Sequence, residues 1–129
     1  MNDDYSDLYG QPVEALGSGG YCDLAAEVLR EFHPDAKIYR ITDDDGDRFA
    51  HVFLRVGDRA MDITGVCSPE DMLQRHNDVD GARLEQTTPE AVANSFLGHS
   101  RTADERQIVM ERFREHINAK PGNFLLNVQ

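Results

Sequence analysis

The sequence predicts one α+β domain in which an amphipathic helix packs on a small antiparallel sheet and a mainly helical second half follows. Apolar residues recur at helical spacing over Cys22–Phe32, whereas three short segments between residues 36 and 63 have the composition of β-strands. Helix start signals then recur through residues 66–129. A chain of 129 residues is long enough for a single domain with a buried core.

The first predicted helix begins at Cys22 and ends at Phe32. His33-Pro34 terminates it, because the residue before a proline is biased away from the helical conformation. Residues 1–16 are expected to be loosely ordered. Residues 17–65 are expected to form the part of the domain that contains the candidate catalytic residues.

Three antiparallel strands are predicted next. Ala36–Ile41 forms the first strand, and Asp43–Asp47 forms a polar turn. His51–Val56 and Arg59–Ile63 form a hairpin through the two-residue turn Gly57-Asp58.

That turn fixes the register of the hairpin and sorts its side chains onto two faces. One face is apolar and consists of Val52, Leu54, Val56, Met61 and Ile63. The other face carries His51, Phe53, Arg55, Ala60 and Asp62. His51 and Asp62 then become diagonal neighbours, roughly 7–8 Å apart at the backbone. A slip of one residue would place them on opposite faces, so their pairing depends on the turn.

Start signals mark the helices of the second half. Ser68-Pro69 and Thr88-Pro89 each place a cap residue before a first-turn proline, and Thr102–Glu105 is a capping box. The last helix should carry one apolar stripe and end near Lys120-Pro121-Gly122; the stripe consists of Ile108, Val109, Phe113 and Ile117. Phe124–Leu126 should follow as a final strand or an apolar tail.

The net charge of −11 argues against direct binding to nucleic acid or to anionic membranes, since both attract basic surfaces. A protein or peptide partner, with a basic surface, is the better expectation, although solubility alone explains acidic clusters such as Asp43–Asp47. No apolar run is long enough for a membrane span, and residues 1–7 are acidic where a secretory signal would be basic and apolar. The default compartment is the cytosol, with export lacking a cleavable signal as the alternative. We expect no cofactor, because the sequence has no phosphate-binding glycine loop.

Cys22, His51 and Asp62 are the candidate catalytic residues. Cys22 follows Ser18-Gly19-Gly20-Tyr21, so a flexible turn delivers its sulfur to the start of a helix, where unpaired N–H groups and the helix dipole stabilise a thiolate. His51 and Asp62 share one face of the predicted hairpin.

The order of cysteine, histidine at a strand start and aspartate on the next strand resembles the papain-like and transglutaminase-like thiol enzymes. Gly19-Gly20-Tyr21-Cys22 is also similar to the glycine-rich approach to the cysteine in arylamine N-acetyltransferases, which are longer and carry an arginine where this chain has Ser18. The resemblance covers residues 17–65 and implies a papain-like fold.

By this resemblance Cys22 is the nucleophile, His51 the general base and Asp62 the group that orients the imidazole. The Cys22 N–H and a side chain from the preceding segment would stabilise the oxyanion, and Gly20, Tyr21 and Gln11 are the candidate oxyanion or substrate-binding residues. Papain-like enzymes often supply a glutamine a few residues before the cysteine, and here Gln11 lies eleven residues before it. The implied activity is acyl transfer through a thioester, as in a peptidase, an amidase, a deamidase or a transglutaminase-like enzyme.

Other interpretations of the same residues remain open. Free cysteines are among the most buried residues, so Cys22 could be structural. Asp62 could have the purely structural role of beginning a turn at Thr64-Gly65. Cys22, His51 and Asp62 are acceptable zinc ligands, but the paired spacing of zinc sites is absent, and no metal is expected. A Cys22–Cys67 disulfide would silence the nucleophile. The competing function is a non-catalytic acidic protein that binds or inhibits a basic partner.

Overall fold

A five-stranded antiparallel sheet, flanked by helices, forms the centre of the computed structural model, which describes residues 9–18, 20–43, 49–76, 81–93 and 101–125. The elements in chain order are α1 (Val13–Ser18), α2 (Cys22–Phe32), β1 (Lys37–Thr42), β2 (Phe49–Val56), β3 (Arg59–Asp62), β4 (Gly65–Cys67), α3 (Pro69–Arg75), β5 (Arg83–Thr87), α4 (Pro89–Ala93), α5 (Ala103–Ala119) and a 3₁₀ helix (Pro121–Phe124). The predicted α+β class is confirmed.

The sheet order is β4-β3-β2-β1-β5, and every pair of neighbouring strands is antiparallel. The β2–β3 hairpin has the predicted register, with Val56 opposite Arg59 and Leu54 opposite Met61. Gly57 begins the turn at φ +56°, in the left-handed region that glycine tolerates best. The turn therefore sets which side chains of β2 and β3 share a face.

The two faces of the sheet carry separate apolar clusters. The larger cluster lies between the sheet and the helices α2 and α5, and it includes Leu24, Val28, Val52, Leu54, Met61, Ile63 and Phe113. The smaller cluster lies on the opposite face beneath α3 and consists of Ile41, Phe53, Ala60, Cys67 and Met72. The alternation predicted for the hairpin is thus present, except that Val56 is partly exposed near the turn.

The predicted helix starts are also present. The Ser68 hydroxyl accepts a hydrogen bond from Asp71 N–H, and the Thr102 hydroxyl accepts one from Glu105 N–H. These bonds satisfy first-turn donors that have no partner within the helix. The last helix, α5, buries Val109, Met110, Phe113 and Ile117, and its C-cap is Lys120.

The structure differs from the sequence prediction in four places. β4 extends the sheet beyond Asp62, and β5 inserts a strand into the half expected to be mainly helical. Helix α1 begins within the segment expected to be loosely ordered, whose residues 1–8 lie outside the described part. Phe124 is buried in a 3₁₀ helix instead of a final strand or tail. Of the predicted acidic turn, only Asp43 lies within the described residues.

Within the described ranges, none of the helices has both the length and the apolar composition that crossing a membrane requires.

We expect Gly17→Ala to lower the free energy of unfolding by about 1–3 kcal/mol, the range for overpacking a core. A Cβ at this position of α1 would overlap the Ile63 side chain. The sign of the change in the free energy of unfolding is informative, because helix propensity alone would make alanine more stabilising than glycine by about 1 kcal/mol. Chemical denaturation of both proteins measures the difference. Gly10→Ala is the control, since a Cβ there meets nothing within 4 Å. Equal stability of the two variants would contradict close packing of α1 on Ile63.

Candidate active site

His51 and Asp62 form a buried hydrogen-bonded pair between β2 and β3. The distance from His51 Nε2 to Asp62 Oδ2 is 2.9 Å, and both side chains are almost inaccessible to solvent. Their diagonal placement follows from the hairpin register, which puts both residues on the same face. The structure therefore brings together two of the three residues predicted from the sequence to act as a unit.

Asp62 is itself held by the turn that follows β3. Its second oxygen, Oδ1, accepts hydrogen bonds from the backbone N–H and the hydroxyl of Thr64. The carboxylate thus begins a turn with one oxygen and orients His51 with the other. Burial raises the pKa of Asp62, but the hydrogen bonds from His51 and Thr64 and the charge of His51 lower it overall. Asp62 is consequently a carboxylate, and His51 Nε2 donates its proton to it.

Cys22 is the first residue of α2 and is close enough to His51 to influence the pKa of its imidazole. The thiol contributes both a hydrogen bond and a charge to the electrostatics of His51. Because Nε2 is engaged by Asp62, the nitrogen left for the sulfur is Nδ1, which has no hydrogen-bond partner of standard geometry among the described atoms. The side chain of the N-cap residue Tyr21 makes no capping hydrogen bond, so it does not compete for the first-turn N–H groups of α2.

The electrostatic environment favours a protonated His51. Burial lowers the pKa of its imidazole, but the hydrogen bonds and charges of Asp62 and Cys22 outweigh burial and raise the pKa to about 9. A protonated His51 and the Asp62 carboxylate therefore form a buried ion pair.

A second buried ion pair supports the start of α2. Arg101 donates to Asp23 Oδ2 and to the carbonyl of Gly20, and its guanidinium lies 4.9 Å from the centre of the Tyr21 ring. Asp23 and Arg101 are 7% and 10% exposed. Arg101 therefore neutralises the carboxylate next to Cys22 and holds the residues that lead into the helix.

The structure gives separate contacts to Gly20, Tyr21 and Gln11, the three residues predicted to support an oxyanion. Gly20 and Tyr21 directly precede Cys22, and the Tyr21 hydroxyl donates to Glu105 Oε2 at 2.6 Å. Burial and that hydrogen bond raise the pKa of Tyr21 to about 12, so its hydroxyl stays protonated. Gln11 uses its backbone carbonyl to accept from Arg112 of α5. An oxyanion role for Gly20, Tyr21 or Gln11 stays a prediction.

His76 is a site residue that the sequence did not indicate. It follows α3, and its ring stacks on that of His51 with centroids 3.7 Å apart and planes 12° apart. His76 Nε2 lies 3.9 Å from Asp62 Oδ2, the oxygen that His51 also faces. The sequence gives no spacing signal for this contact, because His76 and His51 belong to different elements that meet only in the folded chain.

His51, Asp62 and His76 each offer a possible metal ligand, and the three atoms lie within 4.8 Å of one another. The two rings are stacked nearly parallel with centroids 3.7 Å apart, so an ion bound by both would lie outside the plane of at least one ring. Binding it through His51 Nε2 would also require the proton between His51 and Asp62 to leave. Among the described residues, Cys22 does not belong to this cluster of possible ligands.

Cys22, His51 and Asp62 are closed to solvent in this structure, with Cys22 only 3% exposed. Both cysteines are free thiols, so the alternative Cys22–Cys67 disulfide is absent. Burial raises the pKa of Cys67, which gives the chain an internal reference thiol on β4.

Comparisons with protein-family models, with curated proteins and with solved structures returned no match to this chain.

We expect Arg101→Ala to lower the free energy of unfolding by about 3–5 kcal/mol, because it leaves the Asp23 carboxylate buried and unpaired. Chemical denaturation measures the loss. The control is Arg106→Ala, which breaks an ion pair with Glu27 whose partners are 47% and 46% exposed, and which should lose less than about 1 kcal/mol. The double variant Arg101→Ala/Asp23→Ala should recover part of the loss. Similar effects of the two single substitutions would contradict a structural role for the Arg101 pair.

We expect the His51 imidazole to titrate in the folded protein with a midpoint near pH 9, as measured by NMR. Its pKa in the folded state lies above the ordinary 6.5, so its contribution to stability is complete below pH 6.5 and is lost as the pH rises through about 9. Cys22→Ser should move the midpoint downward, because the thiol contributes to the shift. A wild-type midpoint at or below pH 6.5 would contradict the assigned environment.

Proposed function

We propose that this protein is a cysteine-dependent acyl-transfer enzyme of papain-like or transglutaminase-like type, with Cys22, His51 and Asp62 as its triad. The supporting observation is the buried 2.9 Å hydrogen bond between His51 Nε2 and Asp62 Oδ2, together with the influence of Cys22, at the start of α2, on the pKa of the same imidazole. A structural cysteine or a turn-forming aspartate would not require this arrangement of all three groups.

In the proposed reaction the Cys22 sulfur attacks the carbonyl carbon of an amide, and the carbonyl electrons move to the oxygen. First-turn N–H groups of α2 would stabilise the oxyanion. The C–N bond then breaks, His51 Nδ1 delivers its proton to the leaving nitrogen, and a thioester remains. An incoming water or amine gives its proton to His51, attacks the thioester and releases the thiolate. Asp62 keeps its charge and orients the ring throughout.

The substrate class that suits this chemistry is the amide of a protein or peptide. Water as acceptor would make the enzyme a peptidase, an amidase or a deamidase, whereas an amine would make it a transglutaminase-like cross-linker. The chain's net charge of −11 favours a basic substrate, since opposite charges accelerate encounter. The mechanism needs no metal or cofactor, and it needs Cys22 as a free thiol, which a reducing compartment such as the cytosol favours.

Substrate access requires a local opening, because Cys22 is covered in the structure. The rate of a single labelling reaction would therefore combine access with reactivity. The dependence of the rate on pH separates the two, since access to a folded site changes little over a range in which the fold is stable.

We expect Cys22 to react with iodoacetamide at a nearly constant rate from pH 8 to pH 6, whereas the rate of Cys67 falls about tenfold per pH unit. Mass spectrometry of the two cysteine peptides measures both rates in one sample. His51→Ala should give Cys22 the same steep dependence as Cys67, because the imidazolium partner is lost.

His116→Ala is the matched control, as His116 lies on α5 against Phe124 and should leave the Cys22 profile unchanged. Parallel pH profiles for Cys22 and Cys67 in the wild-type protein would overturn the proposed function.

A further inference from the structure

His76 makes two contacts with the proposed triad that no part of the mechanism above uses. Its ring covers that of His51 at 3.7 Å, and its Nε2 faces Asp62 Oδ2 at 3.9 Å. The His51 side chain has no exposed surface, whereas that of His76 is 15% exposed. His76 is thus the more accessible of two imidazoles that face one carboxylate oxygen.

We propose that His76 is a positioning residue for the triad, a role that rests on the thiol chemistry proposed above. In its neutral form its ring stacks on the imidazolium of His51 and fixes the plane in which Nε2 meets Asp62. In its protonated form it opposes the imidazolium and competes for the same carboxylate oxygen. Neutral His76 therefore supports the thiolate–imidazolium pair, and protonated His76 disfavours it.

The stacking supports the first half of this role. A neutral aromatic ring against a cation is attractive, and the attraction strengthens when both groups are desolvated. The Phe53 ring is also near His51, but its centroid is 6.4 Å away. The closer constraint on the orientation of the imidazole is consequently His76.

The charges support the proposed effect of protonating His76. A proton on His76 would place two cations in stacked rings 3.7 Å apart, in a site with little water to screen them. Because the two rings are in direct contact, that charge opposes protonation of the His51 imidazole. Its net effect is to make the ion pair of Cys22 and His51 less favourable.

Other titratable groups surround this pair of rings. Asp62 on β3 and Cys22 on α2 influence the pKa of His51, whereas Asp62, and Asp71 and Arg75 of α3, influence that of Cys67 on β4. None of them changes in the variants below, so a change in the pH profile is assigned to position 76.

The test compares the rate of Cys22 alkylation by iodoacetamide from pH 5 to pH 8 in the wild-type protein, His76→Phe and His76→Ala. Phenylalanine keeps an aromatic ring but cannot take a proton. We expect His76→Phe to keep the wild-type rate within about threefold at pH 8. Between pH 8 and pH 5 its rate should fall less than that of the wild-type protein, so the fall in rate at low pH, the acid limb of the profile, moves to lower pH. His76→Ala should react about tenfold more slowly at pH 8, since it no longer holds the ring.

His116→Phe is a closely matched control. His116 is 14% exposed and lies 3.8 Å from the carboxylate of Glu14, but its ring packs on Phe124 instead of His51. Its acid limb should superimpose on that of the wild-type protein. Circular dichroism across the pH range confirms that each variant stays folded.

The outcomes separate the two proposals. A wild-type rate that is constant between pH 6 and 8, with an acid limb that His76→Phe does not move, overturns the role of His76 and leaves the thiol enzyme in place. A wild-type rate that falls tenfold per pH unit from pH 8 overturns the proposed function and the positioning role together. A shifted acid limb in His76→Phe and an unshifted one in His116→Phe supports both.

Discussion

The register of the β2–β3 hairpin is the constraint on which the site depends. Strand side chains alternate between faces, so the two-residue turn at Gly57-Asp58 decides whether His51 and Asp62 meet. The same register places Leu54 and Met61 opposite one another, in the larger apolar cluster. A slip of one residue would both separate the polar pair and turn that apolar face away from α2. Burial of the core therefore enforces the geometry of the site, and the polar pair need not supply the energy that holds it.

The two buried carboxylates, Asp23 and Asp62, impose a second constraint on the structure. Asp23 and Asp62 are nearly inaccessible in a chain with a net charge of −11, and each has a cationic or protonatable partner. Arg101 pairs with Asp23, and His51 pairs with Asp62, whose oxygen His76 also faces. An unpaired carboxylate at either position would be strongly destabilising. Neutralising Asp23 also has a local effect, because an uncompensated negative charge beside Cys22 would oppose formation of a thiolate there. The pairing of Asp23 with Arg101 thus serves the fold and the electrostatics of the sulfur at the same time.

Local patterns were sufficient to predict α2, the hairpin and its register, and the starts of the three later helices. Each of these is encoded by neighbouring residues: apolar spacing, a glycine turn, or a cap with its first-turn donor. β5 was not predicted, because Arg83–Thr87 is a polar strand at the edge of the sheet and shows little apolar alternation. β4 was missed because a three-residue strand that follows a turn has too few residues to show a period.

The contacts of His76 and Arg101 could not be predicted either, and for a different reason. Each joins elements that are far apart along the chain, Arg101 to Gly20 and Asp23, and His76 to Asp62. No periodicity or spacing records such a contact, since it depends on how α3 and the segment before α5 return to the sheet. The sequence could therefore indicate the three residues proposed to react, but not the residues that neutralise, stack on and orient them.

The proposed reacting residues and the residues that support them lie in different parts of the chain. The proposed reacting groups all lie between residues 22 and 62, in one helix and one hairpin that local signals define. The remainder contributes the supporting contacts: α3 leads to His76, Arg101 precedes α5, and Phe113 of α5 packs into the larger cluster with α2. A helix–hairpin unit alone would leave the Asp23 carboxylate without Arg101 and the His51 ring without its stacking partner. The second half therefore contributes the guanidinium that pairs with Asp23 and the ring that stacks on His51, as well as part of the core.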